Sequence, residues 1–177
     1  MKNFALVNCV VSEKRLMPMC SFGTDEYIVR VAQTYSSMLL KAAYTILRST
    51  ADAEDAVQET FLKLITKRPE FSDREHEKAW LLRVVINTSR NMIKASAKKD
   101  RPLDESAFYT QDEASDILGA VLSLDPKYST IVHLYYYEGY SIKEIADILK
   151  RPSATVGTRL ARARMMLKSI LEGELEQ

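Results

Sequence analysis

The chain has 177 residues, of which 46% are hydrophobic and 28% are charged, a composition typical of a globular protein that buries a core. Five glycines and five prolines are too few for long coil regions, and no apolar run reaches the ~18 residues of a membrane span. The formal net charge of +1, taken alone, argues weakly against nucleic-acid binding, but the charges are segregated along the chain.

Residues 1–23 precede any helical pattern, and we expect them to form a disordered leader. Both cysteines, Cys9 and Cys20, lie in this stretch, and the ten residues between them, with no histidine nearby, do not fit a zinc site. Two free thiols in a reducing compartment are the simpler interpretation. The apolar run at residues 4–11 leads into charged residues instead of a small-residue cleavage site, so we expect a cytoplasmic protein.

Three amphipathic helices are predicted between residues 24 and 97. Apolar residues recur at helical spacing over residues 25–49, a second helix follows, and Pro69 blocks its continuation. The sequence Ser-Asp-Arg-Glu at residues 72–75 has the pattern of a capping box that opens the third helix. Because each helix has one apolar face, we expect the three to pack as one helical domain.

The second helix carries an acidic stripe. Asp52, Asp55 and Glu59 are spaced by three and four residues, which places them on one face beside Gln58. A charged stripe of this kind is usually a solvated surface, and the residues alone favour that interpretation. We expect the domain core to receive three apolar residues of the same helix: Phe61, Leu62 and Ile65.

Residues 98–111 have no periodicity and are predicted to be a linker to a second helical domain at residues 112–177. Within that domain, Asp125 precedes Pro126 as a helix N-cap would, and Gly139 supplies a C-terminal stop. No segment alternates with a period of two residues, so the chain is predicted to be all-α, with two small helical domains.

The last third of the chain has the pattern of a helix-turn-helix. Ser-Ile-Lys-Glu at residues 141–144 is a second capping box, residues 150–152 break the helix, and a second helix starts at Ser153. No acidic residue occurs from residue 150 to residue 171. The cations of this stretch are Lys150, Arg151, Arg159, Arg162, Arg164 and Lys168. A turn followed by a cationic helix suits insertion into the DNA major groove.

A second basic stretch lies at residues 83–101, which contain six cations and a single acidic residue. An acidic connector separates it from the basic helix near the C-terminus. The low net charge therefore results from two cationic surfaces with an acidic segment between them.

These patterns together resemble the small, extracytoplasmic-function type of bacterial sigma factor, a branch of the sigma-70 family. Residues 52–63 are similar to conserved region 2.2, residues 79–88 to regions 2.3 and 2.4, and residues 124–164 to region 4. The resemblance covers about residues 25–172. It implies a subunit that binds core RNA polymerase and directs promoter-specific initiation through the −10 and −35 elements, with an anti-sigma factor as a further partner.

The resemblance also implies a role for individual residues. The face that docks on core polymerase would consist of Asp52, Asp55, Gln58 and Glu59. The −10 strand, with a base flipped out of the stack, would meet the loop at residues 70–77. The third helix would contribute Trp80, Arg83, Asn87, Arg90 and Lys94. The −35 duplex would meet Lys150, Arg151, Ser153, Thr155, Thr158, Arg159, Ala161, Arg162 and Arg164. Val156 and Leu160 would face the core.

Within the −35 set, base reading is expected of Thr158, Ala161 and Arg162, since arginine can pair with guanine and threonine can serve several base edges. The remaining cations are expected to position the helix on phosphates. The chain departs from the family at Lys150, where a glycine is usual, at Ala154, and at Gly157, where a basic residue is common. Lys150 is therefore predicted either at a strained positive φ or in a turn of slightly different geometry. Gly157 removes a DNA contact and weakens the helix, so the −35 preference is predicted to be altered or weaker.

No catalytic, cofactor or metal site is predicted, because neither His76 nor His133 has a suitable partner at a productive spacing. Two other functions remain open from the residues alone. One is a helix-turn-helix regulator that binds DNA without polymerase. The other is a helical adaptor whose basic helix docks on an acidic protein.

Overall fold

A computed structural model describes residues 25–96 and 116–174, and in these two ranges the chain is helical without a strand. The helices are α1 (Asp25–Leu47), α2 (Thr50–Lys67), α3 (Arg74–Ser96), α4 (Asp116–Ser123), α5 (Pro126–Val132), α6 (Ile142–Leu149) and α7 (Ser153–Glu174), and a π-helical turn, His133–Tyr137, continues α5. The all-α prediction is confirmed. The predicted leader, with both cysteines, and the predicted linker lie outside the described residues.

Side-chain and backbone caps define the limits of α2. The Ser49 hydroxyl accepts a hydrogen bond from the Asp52 amide at its start (3.3 Å). At its end Arg68 adopts a left-handed conformation (φ 45°) and donates its amide hydrogen to the Leu64 carbonyl. Pro69 follows, so the helix ends where the sequence predicted.

The cap of α3 differs by one residue from the predicted capping box. The Asp73 carboxylate, and not the Ser72 hydroxyl, accepts the hydrogen bond from the His76 amide (2.8 Å). Ser72 instead donates its hydroxyl hydrogen to the Asp73 carboxylate (2.8 Å). A charged acceptor makes the stronger bond to a helix N-terminus, which explains why the aspartate takes this position.

A buried polar group joins α1 to α3. Glu77 is almost fully buried and accepts hydrogen bonds from the Tyr27 hydroxyl (2.6 Å) and the Arg30 guanidinium (3.1 Å). Burial, reinforced by this bond to Glu77, raises the pKa of the Tyr27 hydroxyl. Because a buried carboxylate needs such partners, these bonds define how the two helices pair.

Local caps also define α5 and α6. Asp125 accepts a hydrogen bond from the Lys127 amide (2.9 Å) ahead of Pro126, as predicted. The predicted capping box of α6 is present, with Ser141 and Glu144 bonded in both directions. Gly139 has a φ of +74°, which a residue with a side chain rarely adopts, and it allows the chain to turn before α6.

The two helical units pack against each other. Buried apolar side chains from α1, α2 and α3 form one continuous cluster with Leu118, Leu134, Tyr140, Ile145 and Leu149. Polar bonds cross the same seam: the Arg48 guanidinium donates to the Leu124 carbonyl (3.1 Å), and the Ser129 hydroxyl donates to the Thr45 carbonyl (3.2 Å). No helix in the described ranges is long and apolar enough to span a membrane.

His133 lies buried at this seam. Its ring stacks on Tyr137 with 5.5 Å between ring centroids, and its Nε2 lies 3.6 Å from a Glu138 carboxylate oxygen. Burial lowers the pKa of His133 to about 4 from its ordinary value of 6.5; Glu138 opposes this shift, while Lys41 and Lys78 add to it. The imidazole is therefore neutral at pH 7 and resists protonation in the folded chain.

This burial predicts that acid destabilises the chain. Since the unfolded state binds a proton at His133 below about pH 6.5 and the folded state does so only near pH 4, the free energy of unfolding falls as pH drops between these values. From pH 7 to pH 5 the loss is about 2 kcal/mol, measured by chemical denaturation. Hydrogen bonds lower the pKa values of three carboxylates, Asp73, Asp125 and Glu144, so their contribution to stability is also lost as the pH falls, and the His133 variant isolates the part that is due to the imidazole.

His133→Phe, which keeps a ring against Tyr137, should abolish most of this pH dependence. His76→Asn is the matched control because His76 is exposed, and it should leave the dependence intact. Equal pH dependence in wild type and His133→Phe would contradict the assignment.

Candidate nucleic-acid interface

The outward face of α2 is partly apolar. Asp55, Gln58 and Glu59 are exposed, as predicted, and Asp52 is half-buried. Leu62 and Ile65 are also exposed, at 58% and 43% of their surface, so the prediction that they face the core is wrong. Of the three apolar residues expected in the core, only Phe61 packs against it.

Helical geometry explains this correction. Leu62 lies seven residues after Asp55 and Ile65 three residues after Leu62, so both share the face of the acidic stripe. The opposite face already fills the core with Ala53, Ala56, Val57, Thr60 and Leu64. The outward face therefore has two apolar side chains bordered by carboxylates and an amide, the chemistry of a protein-docking surface.

Aromatic rings support the loop before α3. Trp80 is half-buried and meets the buried Phe71 ring edge-on, with 5.8 Å between centroids. His76 also meets the Phe71 ring edge-on, with 5.5 Å between centroids, and accepts a hydrogen bond from the Ser72 amide through Nδ1 (3.3 Å). The loop thus presents polar atoms around a fixed aromatic group, and Trp80 keeps part of its surface open to solvent.

The polar residues of α3 divide into two sets. Asn87 and Lys94 are exposed and open to a ligand. Arg83 instead donates hydrogen bonds to the Asp147 carbonyl (3.0 Å) and the Ile148 carbonyl (3.2 Å) in the last turn of α6. The predicted −10 helix therefore contacts the helix-turn-helix directly, which the sequence did not indicate.

Arg90 also lies at the seam. Burial, followed by the charges of Arg151 and Arg159, lowers the pKa of its guanidinium. It forms no ion pair with an acidic residue of the described ranges. Three cations from the two predicted DNA surfaces are thus close to one another, an arrangement that costs free energy unless an anion neutralises them.

The turn between α6 and α7 is tight. Lys150 has a φ of +51°, which confirms the predicted left-handed conformation at this position. The amide groups of Lys150 and Arg151 both donate to the Ala146 carbonyl, the latter at 3.0 Å. These bonds satisfy the C-terminal end of α6 and direct the chain into α7.

The two faces of α7 have distinct roles. Val156, Leu160 and Ala163 are buried, which confirms the prediction for the first two. Ser153, Thr158, Ala161 and Arg162 are exposed, and Thr155 and Arg159 are half-buried on one flank. The residues predicted to read bases therefore lie opposite the buried face, where a major groove can receive them.

A tyrosine pair orients Arg164 on the other flank of α7. Its Nε donates a hydrogen bond to the Tyr136 hydroxyl (2.8 Å), and its guanidinium lies over the Tyr135 and Tyr136 rings at 5.3 and 5.6 Å from their centroids. This pair was not predicted from the sequence. The run of three tyrosines before Gly139 was the available signal, but it carried no information about a partner in α7.

No group of three potential metal ligands occurs among the residues the structure describes. The structure exposes one acidic and partly apolar face on α2, and polar or cationic groups on α3, on the α6–α7 turn and on both flanks of α7.

Gly157 weakens α7 without a packing reason. A methyl group added at this position would have no heavy atom within 4 Å outside its own helix backbone. Gly157→Ala should therefore raise the free energy of unfolding by about 1 kcal/mol, because alanine loses less backbone entropy on forming a helix. The measurement is urea denaturation followed by circular dichroism.

Gly139→Ala provides a contrasting control, because the positive φ of Gly139 opposes any side chain. This variant should lose about 1 kcal/mol or more. Destabilisation by both substitutions would show that Gly157 is needed for packing or for a bend that the structure does not show.

Comparison with known proteins identifies two matched regions. Residues 31–99 match the family model described as Sigma-70 region 2, and residues 114–167 match the model described as Sigma-70, region 4. Together the two matches cover more than half of the chain.

Full-length relatives are similar over most of their length. The chain is 24% identical to ECF RNA polymerase sigma factor SigW of Bacillus subtilis, with 89% of this chain and 96% of the relative aligned. It is 25% identical to RNA polymerase sigma factor SigV of the same species, with 85% and 95% aligned.

Two solved structures share the fold. The sigma factor RpoE from Bartonella quintana, determined with the anti-sigma factor NepR, superimposes with a TM-score of 0.66 at 23% identity, covering 84% of this chain and 98% of that one. CnrH, determined with the cytosolic domain of CnrY, superimposes with a TM-score of 0.64 at 23% identity, covering 85% and 91%.

Proposed function

The chain belongs to the sigma-70 family, as a sigma factor of the ECF type, and from this premise we propose which of its surfaces performs each step of initiation. Sigma factors bind core RNA polymerase and direct initiation at specific promoters without catalysing the chemistry themselves. One observation supports this assignment of surfaces most directly. Helices α2 and α7 each bury one apolar face, and the opposite face of each helix, which has the charged and polar residues expected for its partner, is exposed. We place this activity in the cytoplasm, where the polymerase is.

Core polymerase docks on the outward face of α2. Asp52, Asp55, Gln58 and Glu59 supply charge and hydrogen bonds, which favour encounter with a basic partner surface. Leu62 and Ile65 supply the apolar contact at the centre, where buried area contributes most to affinity. If this face had only carboxylates, binding would remove water from charged groups and would bury little apolar surface in return.

This assignment predicts that Leu62→Ser weakens polymerase binding about tenfold and leaves the melting temperature unchanged, because the side chain is exposed in the free protein. Asp55→Lys should abolish binding, by repulsion, with the fold intact. Lys67→Ser is the matched control, since Lys67 is exposed on α2 away from this face. The measurement is titration of labelled protein with purified core polymerase, and an effect of Lys67→Ser equal to that of Leu62→Ser would contradict the assignment.

The −10 strand binds along the loop before α3 and along α3 itself. The loop places polar atoms around Phe71, and Trp80 is open on one side to stack on an unpaired base. Asn87 can read a base edge, and Lys94 can neutralise a phosphate. Arg83 and Arg90 join this surface once the seam between the two units opens.

The −35 duplex receives the exposed face of α7. Thr158, Ala161 and Arg162 face the bases, while Ser153 and Thr155 lie at the first turn, where the helix N-terminus favours a phosphate. Cations hold the backbone on both flanks of the helix: Lys150, Arg151 and Arg159 on one side and Arg164 on the other. The hydrogen bond from Arg164 to Tyr136 pre-positions that side chain.

These two kinds of contact predict different responses. Arg162→Ala should lower affinity for the preferred −35 sequence about tenfold and relax selection at one base pair, since a bidentate arginine contact is worth ~1–3 kcal/mol. Arg159→Ala should weaken binding to all sequences and reduce the salt dependence of the affinity by about one counterion. The measurement is competition binding of holoenzyme to a library of −35 sequences at two salt concentrations. A change of base preference in Arg159→Ala would contradict the assignment of Arg159 to a phosphate contact.

The function as a whole is tested by in-vitro transcription with purified core polymerase and mapped start sites. We expect defined start sites that depend on this chain. Operator binding by the chain alone, without start-site selection, would instead favour the helix-turn-helix regulator. Because RpoE was solved with the anti-sigma factor NepR and CnrH with the cytosolic domain of CnrY, we also propose that an anti-sigma factor binds this chain.

A further inference from the structure

One flank of α7 consists of four residues spaced by four, three and four positions: Gly157, Ala161, Arg164 and Lys168. The first two extend no charged group from this flank. The Lys168 ammonium lies 3.5 Å from a Glu172 carboxylate oxygen, but both side chains are exposed, so this ion pair is weak. Arg164 differs from the other three because side chains outside α7 hold its guanidinium.

Two tyrosines hold Arg164. The Tyr136 hydroxyl accepts a hydrogen bond from its Nε (2.8 Å), and the guanidinium lies 5.3 Å from the centroid of the Tyr135 ring and 5.6 Å from that of the Tyr136 ring. The two rings meet edge-on, with 5.0 Å between their centroids. Because the bond to Tyr136 uses Nε, the terminal nitrogens Nη1 and Nη2 keep their hydrogens for a ligand.

The surroundings of Arg164 provide no anion. No acidic residue occurs from residue 150 to residue 171, and no carboxylate of the described ranges forms an ion pair with this guanidinium. Arg164 and Tyr136 are both exposed. A guanidinium held in place on the flank of a helix that fits the major groove has the chemistry to bind a phosphate.

A rigid turn carries the two tyrosines. They belong to the π-helical turn His133–Tyr137, whose end is closed by hydrogen bonds from the Glu138 amide to the His133 carbonyl (3.2 Å) and from the Tyr140 amide to the Leu134 carbonyl (3.0 Å). His133 and Leu134 are buried. Turns of this kind are rare and occur frequently at functional sites. The turn gives the tyrosine rings a fixed base beside α7.

We propose that Tyr136 and Arg164 form a clamp for one phosphate of the −35 duplex, so that Tyr136 is itself a DNA-binding residue as well as the residue that positions Arg164. This proposal rests on the proposed function. The guanidinium donates to the phosphate oxygens in bidentate fashion through Nη1 and Nη2. The Tyr136 hydroxyl accepts the bond from Nε with a lone pair, so its own hydrogen is free to bond to the same phosphate.

Prior positioning explains how the clamp gains affinity. A free arginine side chain loses rotamer freedom when it binds a phosphate, whereas Arg164 has already lost much of this freedom in the folded chain. A phosphate contact carries no base information. The clamp therefore strengthens binding to every −35 sequence alike and fixes the register of α7 in the groove.

Removal of one hydroxyl tests the role of Tyr136. Holoenzyme assembled with Tyr136→Phe should bind all −35 sequences about fivefold more weakly, with an unchanged melting temperature of the chain, since a hydrogen bond and the position of Arg164 are lost. Arg164→Ala should weaken binding about tenfold and lower the salt dependence by about one counterion. Tyr136→Phe should leave the salt dependence unchanged because it removes no charge.

Tyr137→Phe is the matched control. Tyr137 is the next residue along the same turn and is also exposed, but its ring stacks on His133 and not against Arg164. Holoenzyme with this variant should keep the wild-type affinity.

A scan with neutral phosphates tests whether Tyr136 and Arg164 share one phosphate. In each duplex of the series a methylphosphonate replaces one phosphate of the −35 element, which removes one negative charge. At one position, the same for both, Tyr136→Phe and Arg164→Ala should lose less affinity than wild type. Arg159→Ala should do so at a different position, because Arg159 lies on the other flank of α7.

Three outcomes would each overturn the clamp: wild-type affinity in Tyr136→Phe, an equal loss in Tyr137→Phe, or responses of Tyr136→Phe and Arg164→Ala at different phosphates. These outcomes are measured against a wild-type holoenzyme that binds the duplex and selects start sites. A wild-type holoenzyme with no preference for any −35 sequence would instead overturn the proposed function, and the clamp with it.

Discussion

The arrangement of this chain depends on one shared apolar core. Helices α4, α5 and α6 have eight, seven and eight residues, too few to be stable alone in water. They persist because Leu134, Ile145 and their neighbours are buried against α1, α3 and α7. The buried face of each helix defines its rotation, and that rotation determines which side chains face outward. The candidate sites are therefore a consequence of the packing.

Local signals in the sequence predicted the elements well, because they act through neighbouring residues. The Asp125 cap, the Ser141–Glu144 capping box and the stop at Gly139 each need only a few consecutive positions, and the structure contains all three. The positive φ of Lys150 was predicted from the family resemblance, because a glycine is usual at this position. The cap of α3 moved by one residue because two adjacent polar side chains competed for the same amide group.

Contacts between residues that are distant in the sequence explain the features that the sequence did not predict. Leu62 and Ile65 recur at helical spacing like core residues, and only the presence of Ala53 and Leu64 on the opposite face shows that the core is already full. The contact of Arg83 was invisible for another reason: its acceptors are backbone carbonyls, which every residue possesses. The orientation of Arg164 depends in the same way on tyrosines almost thirty positions earlier in the chain. The residues proposed for the interfaces were assigned through family resemblance, and their geometry came from the fold.

A promoter subunit with two small DNA surfaces gains affinity by joining them, since binding of one raises the effective concentration of the other. The most direct test of this account is transcription from a promoter library in which the distance between the −10 and −35 elements varies one base pair at a time over about one helical turn. The account predicts a single spacing optimum, with initiation falling on both sides. Start-site selection that is indifferent to spacing, or that survives loss of the −35 element unchanged, would contradict it.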